Sequence, residues 1–140
     1  MLSKVVILFL CVGNSLAKGI SCDGGTLTRA VRLEIIKQHR LQSHILKWDC
    51  ELEKKAASAF DKLDDGEVDT DKIKIDSRHV NDYTYLSHGD MKTDVEGALY
   101  YWSKKQDLKS YENMIDPKNQ NIGCAYKFVE PMGHLVCIYV

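Results

Sequence analysis

The sequence contains few of the residues that break or loosen a folded chain. Only two prolines and nine glycines occur among its 140 residues, which leaves little material for a long flexible linker. Hydrophobic residues make up 44% of the chain and charged residues 28%, as in an ordinary globular protein. Intrinsic disorder and collagen-like structure are therefore excluded as the main description. The length fits one domain built around one hydrophobic core.

A surplus of charge of either sign is also missing. The 19 Lys and Arg residues nearly balance the 20 Asp and Glu residues, and the formal net charge is −1. Domains that bind nucleic acid usually carry a basic patch, and interaction tails usually show as runs of one charge. We therefore expect neither a nucleic-acid partner nor a polybasic membrane-binding surface.

Long hydrophobic runs are absent too. The longest apolar run, residues 5–12 (VVILFLCV), is far shorter than the roughly 20 residues that span a bilayer, so no membrane span is expected. Lys4 precedes this run, and the sequence SLA follows it with small residues on both sides of the leucine, as at a signal cleavage site. We predict that residues 1–17 are a secretory signal peptide. Residues 18–140 then form a single mature domain of a secreted, extracellular protein.

The cysteine count supports an extracellular location. Of the five cysteines, Cys11 lies in the predicted signal peptide, so the mature chain keeps four. An even number in an exported chain predicts two disulfides with three possible connectivities. No Cys-x-x-Cys motif occurs, which gives no support to thioredoxin-like redox chemistry or to a zinc ribbon. The four cysteines are Cys22, Cys50, Cys124 and Cys137.

The first part of the mature chain has the pattern of an amphipathic helix. Thr28 is a suitable N-cap, because its hydroxyl can accept a hydrogen bond from a backbone N–H two or three residues later. Val31, Ile35 and His39 follow near helical spacing and predict the buried face. On this pattern Arg32 is assigned to the outer, solvent-facing side.

Two further helices and one irregular segment are predicted in the middle of the chain. The second helix is expected from about residue 49 to residue 63. Residues 76–90 are interpreted as an irregular connection. A third helix is predicted over residues 92–109, with Thr93 as its N-cap and Glu96 completing a capping-box pattern.

The last part of the chain gives the clearest strand signal. Residues 122–129 and 134–140 are rich in β-branched and aromatic residues, and residues 130–133 (EPMG) separate them as a turn. The pattern predicts a β-hairpin. With this turn length, Val129 is expected to face His134.

This hairpin suggests how the cysteines pair. In the expected register, Cys124 and Cys137 are diagonal neighbours on one face, about 7–8 Å apart. A disulfide needs roughly 4.4–6.8 Å between Cα atoms, so a one-residue bulge is expected to close the gap. By elimination, Cys22 then pairs with Cys50.

Several of these segments together resemble the CAP superfamily, which includes secreted nematode venom-allergen-like proteins. The matching segments are residues 46–53 (LKWDCELE), 114–125 (MIDPKNQNIGCA) and 135–139 (LVCIY). The resemblance covers nearly all of residues 22–140. It implies an α+β fold in the form of an α-β-α sandwich, with a small antiparallel sheet stabilised by disulfides.

The resemblance also implies a central cleft, which in this family is usually lined by two His and two Glu that can hold a divalent metal. Here one of the His positions falls on Ser110, and one of the Glu positions falls on Lys105. Zinc needs imidazole or carboxylate donors that converge on the ion, and a lysine would add positive charge where the cation belongs. We therefore expect no metal and no cofactor at this cleft.

The sequence gives no support to an enzyme either. It lacks the Gly-x-Ser-x-Gly and His-Glu-x-x-His motifs, and no free thiol remains in the mature chain if both disulfides form. The acidic residues of the helices, Glu53 among them, are interpreted as solvated side chains or caps. We predict a protein that is not an enzyme.

Three functional hypotheses remain. The first is a non-catalytic effector that binds an extracellular protein, such as a host receptor, through the segments 64–91 and 106–121. The resemblance implies a parasite product that acts on host tissue or immunity. The second is a lipid or sterol carrier, and the third is a metal protein or enzyme that uses another site. We adopt the first. Five tyrosines are expected to supply its aromatic surface: Tyr83, Tyr85, Tyr100, Tyr101 and Tyr111.

Overall fold

The computed structural model of the chain describes residues 20–61, 68–73 and 79–140. The predicted signal peptide lies outside these residues, as does part of the acidic segment before residue 79. The described elements are, in chain order, α1 (Arg29–Gln42), β1 (Lys47–Trp48), α2 (Cys50–Ser58), a 3-10 turn (Thr70–Ile73), β2 (Val80–Leu86), α3 (Met91–Ser103), α4 (Leu108–Ile115), β3 (Asn121–Val129) and β4 (Met132–Tyr139).

The first two helices begin where the sequence predicts. The Thr28 hydroxyl caps α1 by accepting from the Val31 N–H at 3.3 Å. The Asp49 carboxylate caps α2 by accepting from the N–H groups of Glu51 and Leu52 at 2.8 and 3.2 Å. The second helix ends at Ser58, so its predicted extension is wrong over residues 59–61, and residues 62–63 lie outside the described part of the chain.

The predicted third helix is in fact two helices. The first, α3, ends at Ser103, and Lys105 then adopts a left-handed backbone with φ of 60° that turns the chain. The Asp107 carboxylate starts α4 by accepting from the Ser110 N–H at 3.3 Å. A single helix over residues 92–109 is therefore wrong, because a positive φ interrupts it and a new N-cap follows directly.

The start of α3 also differs from the prediction. Its N-cap is Asp90, whose carboxylate accepts from the Thr93 N–H at 2.8 Å and from the Thr93 hydroxyl at 2.7 Å. Asp90 lies one turn earlier than the predicted cap. Thr93 is a donor to the cap and not the cap itself.

The sheet has four strands in the order β1-β3-β4-β2. Both large pairings are antiparallel, and only the two-residue strand β1 runs parallel to its neighbour β3. Strand β2 shows that the interpretation of residues 76–90 as irregular is wrong over Val80–Leu86; residues 87–90 do contain no helix or strand, and residues 76–78 lie outside the described part of the chain. Its half-buried residues Tyr83 and Tyr85 alternate with the exposed residues Asp82 and Thr84, which is the two-residue period of a strand with one face buried.

The hairpin of β3 and β4 is tighter than expected. Val129 pairs with Met132, so the turn consists of Glu130 and Pro131 alone, joined by a cis peptide bond. The predicted four-residue turn is therefore wrong, and the predicted register is wrong by two residues.

The sheet lies between two helical layers, which confirms the α-β-α sandwich. One face of the hairpin packs against α2 through Ala125, Val136 and Ile138. The opposite face contributes side chains such as Tyr126 and Leu135 to the larger core, which α1, α3 and α4 cover. Adjacent strand residues therefore serve different cores, as the period of a strand requires. No helix in the described ranges is both long enough and apolar enough to cross a membrane.

Candidate functional site

The two cleft positions that depart from the family pattern make separate contacts. Lys105 is exposed in the turn between α3 and α4, and its Nζ lies 5.1 Å from the centre of the Tyr111 ring, within the range of a cation–π contact. Ser110 is buried in the first turn of α4, and its hydroxyl donates to the Asp107 carboxylate at 2.7 Å. The Lys105 ammonium has no lone pair to offer a metal ion, and the Ser110 hydroxyl is turned to Asp107.

The described residues do not fit a metal ion. Over residues 20–61, 68–73 and 79–140, no group of three or more His, Cys, Asp or Glu side chains could hold one. Zinc requires such a convergent set of donors. The zinc site of the family is therefore not reproduced by the residues present in these ranges.

A network of buried polar side chains lies behind Ser110. Asn81 donates its side-chain amide to the Ser110 carbonyl at 2.9 Å and to the Tyr139 hydroxyl at 3.3 Å. Asn113 in turn donates to the Asn81 amide oxygen at 2.9 Å. The Tyr139 hydroxyl lies 2.8 Å from His39 Nε2. The network joins α1, β2, α4 and β4 in the interior.

The hydrogen bonds of His39 fix its tautomer. Its Nδ1 lies 2.7 Å from the Ile35 carbonyl, which can only accept, so Nδ1 carries the proton. Nε2 therefore accepts the hydrogen bond from the Tyr139 hydroxyl. Both ring nitrogens are occupied, and His39 is a satisfied core histidine, as the sequence predicts.

Burial keeps this pair neutral. Burial lowers the pKa of His39 to about 4, and His44 adds to this, although the hydrogen bond to Ile35 opposes it. Burial also raises the pKa of the Tyr139 hydroxyl. At neutral pH the network therefore carries no charge.

A buried ion pair connects α1 with α2. Arg32 donates from Nε and Nη2 to the two carboxylate oxygens of Glu53 at 2.9 and 2.7 Å, and the Trp48 indole N–H donates to the same carboxylate at 2.8 Å. The exposed fraction is 4% for Arg32 and 1% for Glu53. The interpretation of both residues as solvent-facing is therefore wrong, because helix spacing alone does not show that two helices bury their charges against each other.

The segment before α1 covers this ion pair. The Ile20 carbonyl accepts from Arg32 Nη1 at 3.3 Å. A Cβ atom added to Gly25 would overlap both the Glu53 carboxylate and the Arg32 guanidinium, so the backbone passes directly over the pair. Gly123 leaves similar room for the backbone of α2 to approach β3.

The structure contains the two disulfides that the sequence predicts. Cys22 pairs with Cys50, with 5.5 Å between their Cα atoms, and Cys124 pairs with Cys137 at 4.1 Å. Cys124 faces Cys137 directly across the hairpin, so the expected bulge is not needed. The first pair is partly exposed and lines a cavity of about 130 Å³, whereas the second pair is fully buried.

Three of the five predicted tyrosines come together. The Tyr83 ring is stacked between the rings of Tyr85 and Tyr101, with centroid distances of 4.8 and 4.5 Å. All three are partly exposed and pack against the larger core. Tyr100 instead lies under Lys104, whose Nζ is 4.5 Å from the centre of its ring, and Tyr111 contacts Lys105. The aromatic surface therefore consists of three stacked rings, which we call the tyrosine stack.

A buried carboxylate, which the sequence analysis missed, fixes the elements that carry this stack. Asp94 of α3 accepts from the hydroxyls of Ser87 and Tyr126, both at 2.6 Å, and from the His88 N–H at 2.7 Å. Burial alone would raise the pKa of Asp94, but these hydrogen bonds outweigh it and the pKa is lowered. Burial and the hydrogen bond to Asp94 raise the pKa of Tyr126 to about 12. Asp94 thus joins α3 to the end of β2 and to β3.

Comparison with solved structures supports the fold. Na-ASP-1 is 18% identical with a TM-score of 0.67, and the match covers 85% of this chain but only 38% of Na-ASP-1. The hookworm platelet inhibitor is 18% identical with a TM-score of 0.65, covering 85% of this chain and 74% of that one. NaASP2, in a structure with Zn²⁺, is 14% identical with a TM-score of 0.68, covering 85% and 83%. At these identities the similarity concerns the fold.

The sequence comparisons give a family but no individual relative. A search of curated proteins finds no match. The family model described as the cysteine-rich secretory protein family matches residues 29–139, which is well over half of the chain. This chain therefore belongs to the CAP, or cysteine-rich secretory protein, family.

Proposed function

We propose that this chain is a secreted, non-catalytic CAP protein that binds an extracellular protein. The observation that carries the proposal is the tyrosine stack of Tyr83, Tyr85 and Tyr101, which is partly exposed and rigidly supported. Tyrosine is favoured at protein interfaces because it offers a large contact area and loses little conformational entropy.

The elements around the stack support this proposal. Asp94 holds the start of α3 to the end of β2, so the rings of Tyr85 and Tyr101 are presented by two connected elements. Next to them, Leu86 is 66% exposed at the end of β2, and Asp82 and Thr84 are also exposed. Because these elements are already held in place, the surface loses less conformational entropy on binding, which favours its use as a protein-binding surface.

Secretion and a role between parasite and host are part of the proposal. Two disulfides are typical of proteins that fold in an oxidising compartment, in agreement with the predicted signal peptide. One structural neighbour is named as a hookworm platelet inhibitor, which by its name acts on a host component. By analogy, the partner of this chain is an extracellular host protein, such as a receptor with a role in tissue or immune responses.

The alternative of a lipid carrier is less well supported. A groove of about 450 Å³ runs between α1 and α3, but the side chains that line it are mainly polar. An acyl chain or a sterol needs an apolar lining. The lining residues are Glu34, Gln38, Gln42, Glu96, Tyr100, Ser103 and Lys104.

The test is a binding screen with matched variants. The protein secreted from eukaryotic cells is applied to an array of purified extracellular receptor domains, together with Tyr83→Ala, Tyr101→Ala and the control Tyr111→Ala. We expect at least one domain whose binding falls tenfold or more in the first two variants and is unchanged in the control. Binding that is unchanged in Tyr83→Ala and Tyr101→Ala would overturn the proposal. So would the absence of binding to every domain, together with a stoichiometric lipid in the native mass spectrum.

A further inference from the structure

The two disulfides differ sharply in their accessibility. Cys22 and Cys50 are partly exposed and open onto a cavity that they share with the backbone of Gly24 and Gly25. Cys124 and Cys137 have an exposed fraction of 0% and lie in the larger core beneath the helices. Thiol–disulfide exchange requires a thiolate to reach a disulfide sulfur. In the folded protein, an external thiol can therefore reach the first bridge and not the second.

The accessible bridge fastens a segment that has few other attachments. Residues 20–28, which we call the strap, contain no helix or strand. At its end the strap is joined to α1 by Thr28, which accepts from the N–H groups of Val31 and Arg32 at 3.3 and 3.1 Å. Before Thr28, two hydrogen bonds between described residues join it to the body of the protein, one from Arg32 Nη1 to the Ile20 carbonyl at 3.3 Å and one from the Tyr126 N–H to the Thr26 hydroxyl at 3.0 Å. The side chains of Ile20 and Leu27 are buried in the larger core. The covalent bridge is thus the strongest attachment of the strap.

The strap also keeps water from a charged pair. Gly25 lies directly against the Glu53 carboxylate and the Arg32 guanidinium, and Glu53 itself lines the cavity beside the bridge. A buried ion pair whose cover is removed becomes solvated, and its two charges become part of the surface. Movement of the strap would therefore create a new polar surface at the junction of α1 and α2.

We propose that the Cys22–Cys50 disulfide is a thiol–disulfide exchange site at which an external dithiol releases the strap. A thiolate of the dithiol attacks one sulfur of the pair, forms a mixed disulfide with it and expels the other sulfur as a thiolate. The second thiol of the dithiol then attacks the mixed disulfide. The dithiol leaves oxidised to a disulfide, and Cys22 and Cys50 end as two thiols, having received two electrons and two protons.

The released form keeps the fold but exposes a different surface. The Cys124–Cys137 bridge stays oxidised and holds the hairpin, so the sheet remains, and the larger core gives up only the two strap side chains, Ile20 and Leu27. The strap loosens, and the Arg32–Glu53 pair becomes accessible. The co-reactant is defined by its chemistry as a protein or small-molecule dithiol outside the cell.

Timed reduction under native conditions tests the proposal. The secreted protein is incubated with dithiothreitol, quenched with iodoacetamide and digested, and alkylation of each cysteine is followed by mass spectrometry. We expect Cys22 and Cys50 to be alkylated at least tenfold faster than Cys124 and Cys137. Simultaneous alkylation of all four, which indicates global unfolding, or persistence of the Cys22–Cys50 bridge would contradict the proposal.

Hydrogen exchange tests the consequence for the strap. After selective reduction, protection of the Tyr126 N–H, which donates to the Thr26 hydroxyl of the strap, should fall, and protection should stay unchanged in the rest of β3 and in β4. The double variant Cys22→Ala, Cys50→Ala should show the same exchange pattern without any reductant. Unchanged protection of the Tyr126 N–H in reduced wild-type protein would show that the bridge does not hold the strap, whether or not the variant folds.

Discussion

At the scale of single residues, His39 couples stability to pH. Its ring is fully buried and its pKa is lowered to about 4, so the folded protein keeps it neutral where an unfolded chain would protonate it. An unfolded histidine titrates near its ordinary value of about 6.5. Between these two values the unfolded state binds one more proton, and stability must fall as the pH falls through this window.

We therefore predict that acid destabilises the protein between pH 6.5 and pH 4. As the pH falls from 6.5 to 4, the free energy of unfolding should decrease by about 3 kcal/mol, because the unfolded chain binds a proton that buried His39 does not. Urea denaturation at a series of pH values measures it. In His39→Gln, which has no ionisable ring, the slope in this window should be clearly smaller. An identical slope in both proteins would assign the effect to other groups.

The Arg32–Glu53 pair gives a second prediction at this scale. Glu53→Gln should lower the free energy of unfolding by about 3–5 kcal/mol, because it leaves the buried Arg32 guanidinium without a countercharge. Chemical denaturation measures the loss. The double variant Arg32→Met, Glu53→Leu removes both charges and should recover a large part of it. A double variant that is no more stable than the single one would show that packing around the pair matters more than its charge.

At the scale of elements, the starts of α1 and α2 could be predicted from sequence, and those of α3 and α4 could not. Thr28 caps α1 as expected, and Asp49, where the second helix was expected to begin, is the N-cap of α2. Before α3, both Asp90 and Thr93 are chemically able to cap. In the structure Asp90 is the cap, and Asp94 is held in the interior by hydrogen bonds from Ser87, His88 and Tyr126.

The choice of Asp90 as N-cap is testable by comparing two variants. Asp90→Ala removes the acceptor of the Thr93 N–H and should lower the melting temperature. Thr93→Ala keeps that acceptor and loses only a side-chain donor, so its melting temperature should fall less. Thermal unfolding followed by circular dichroism measures both. A larger decrease in melting temperature for Thr93→Ala than for Asp90→Ala would indicate that Thr93 contributes more than Asp90 to the start of α3.

Strand β2 shows why some secondary-structure elements cannot be predicted from sequence. Its residues alternate in burial, but two of its first three residues, Asn81 and Asp82, are polar and suggest a loop. Asn81 is buried all the same, because Ser110, Asn113 and Tyr139 satisfy its amide. A polar residue can occupy an interior position when segments distant in sequence supply its hydrogen-bond partners. The residues next to it in the sequence do not reveal those partners.

At the scale of the whole molecule, the fold could be predicted from the sequence, but the contacts of the buried charged residues could not. The resemblance to the CAP superfamily implied the sandwich, and the cysteine count together with the hairpin predicted both disulfides. The resemblance placed the substituted cleft positions at Ser110, by its spacing to Cys124, and at Lys105, by its spacing to the aromatic residue Trp102 of the preceding helix. The Arg32–Glu53 pair and the hydrogen bond from Tyr126 to Asp94 depend on packing between elements far apart in sequence. The sequence pattern therefore placed Arg32 on the solvent-facing side, treated Glu53 as a solvated side chain or cap, and gave no signal for Asp94.

The buried disulfide gives the prediction at this scale. Cys124→Ser should lower the free energy of unfolding by roughly 2–5 kcal/mol, as for other native disulfides of small secreted domains. It removes a bridge across the central hairpin and leaves a polar hydroxyl in the larger core. Denaturation of the variant beside wild type measures the cost. An unchanged melting curve would show that the pairing contributes nothing to stability.

Both disulfides connect residues that are close in sequence, with separations of 28 and 13 positions. The exposed pair Lys104 and Lys105 lies between them, in the turn that follows α3. A single peptide-bond cut there would produce two covalently independent pieces, each with its own bridge. The pieces would still share one sheet, because β2 of the first pairs with β4 of the second over seven residue positions. The molecule is therefore organised as two complementary fragments, which suits reconstitution from separately expressed halves.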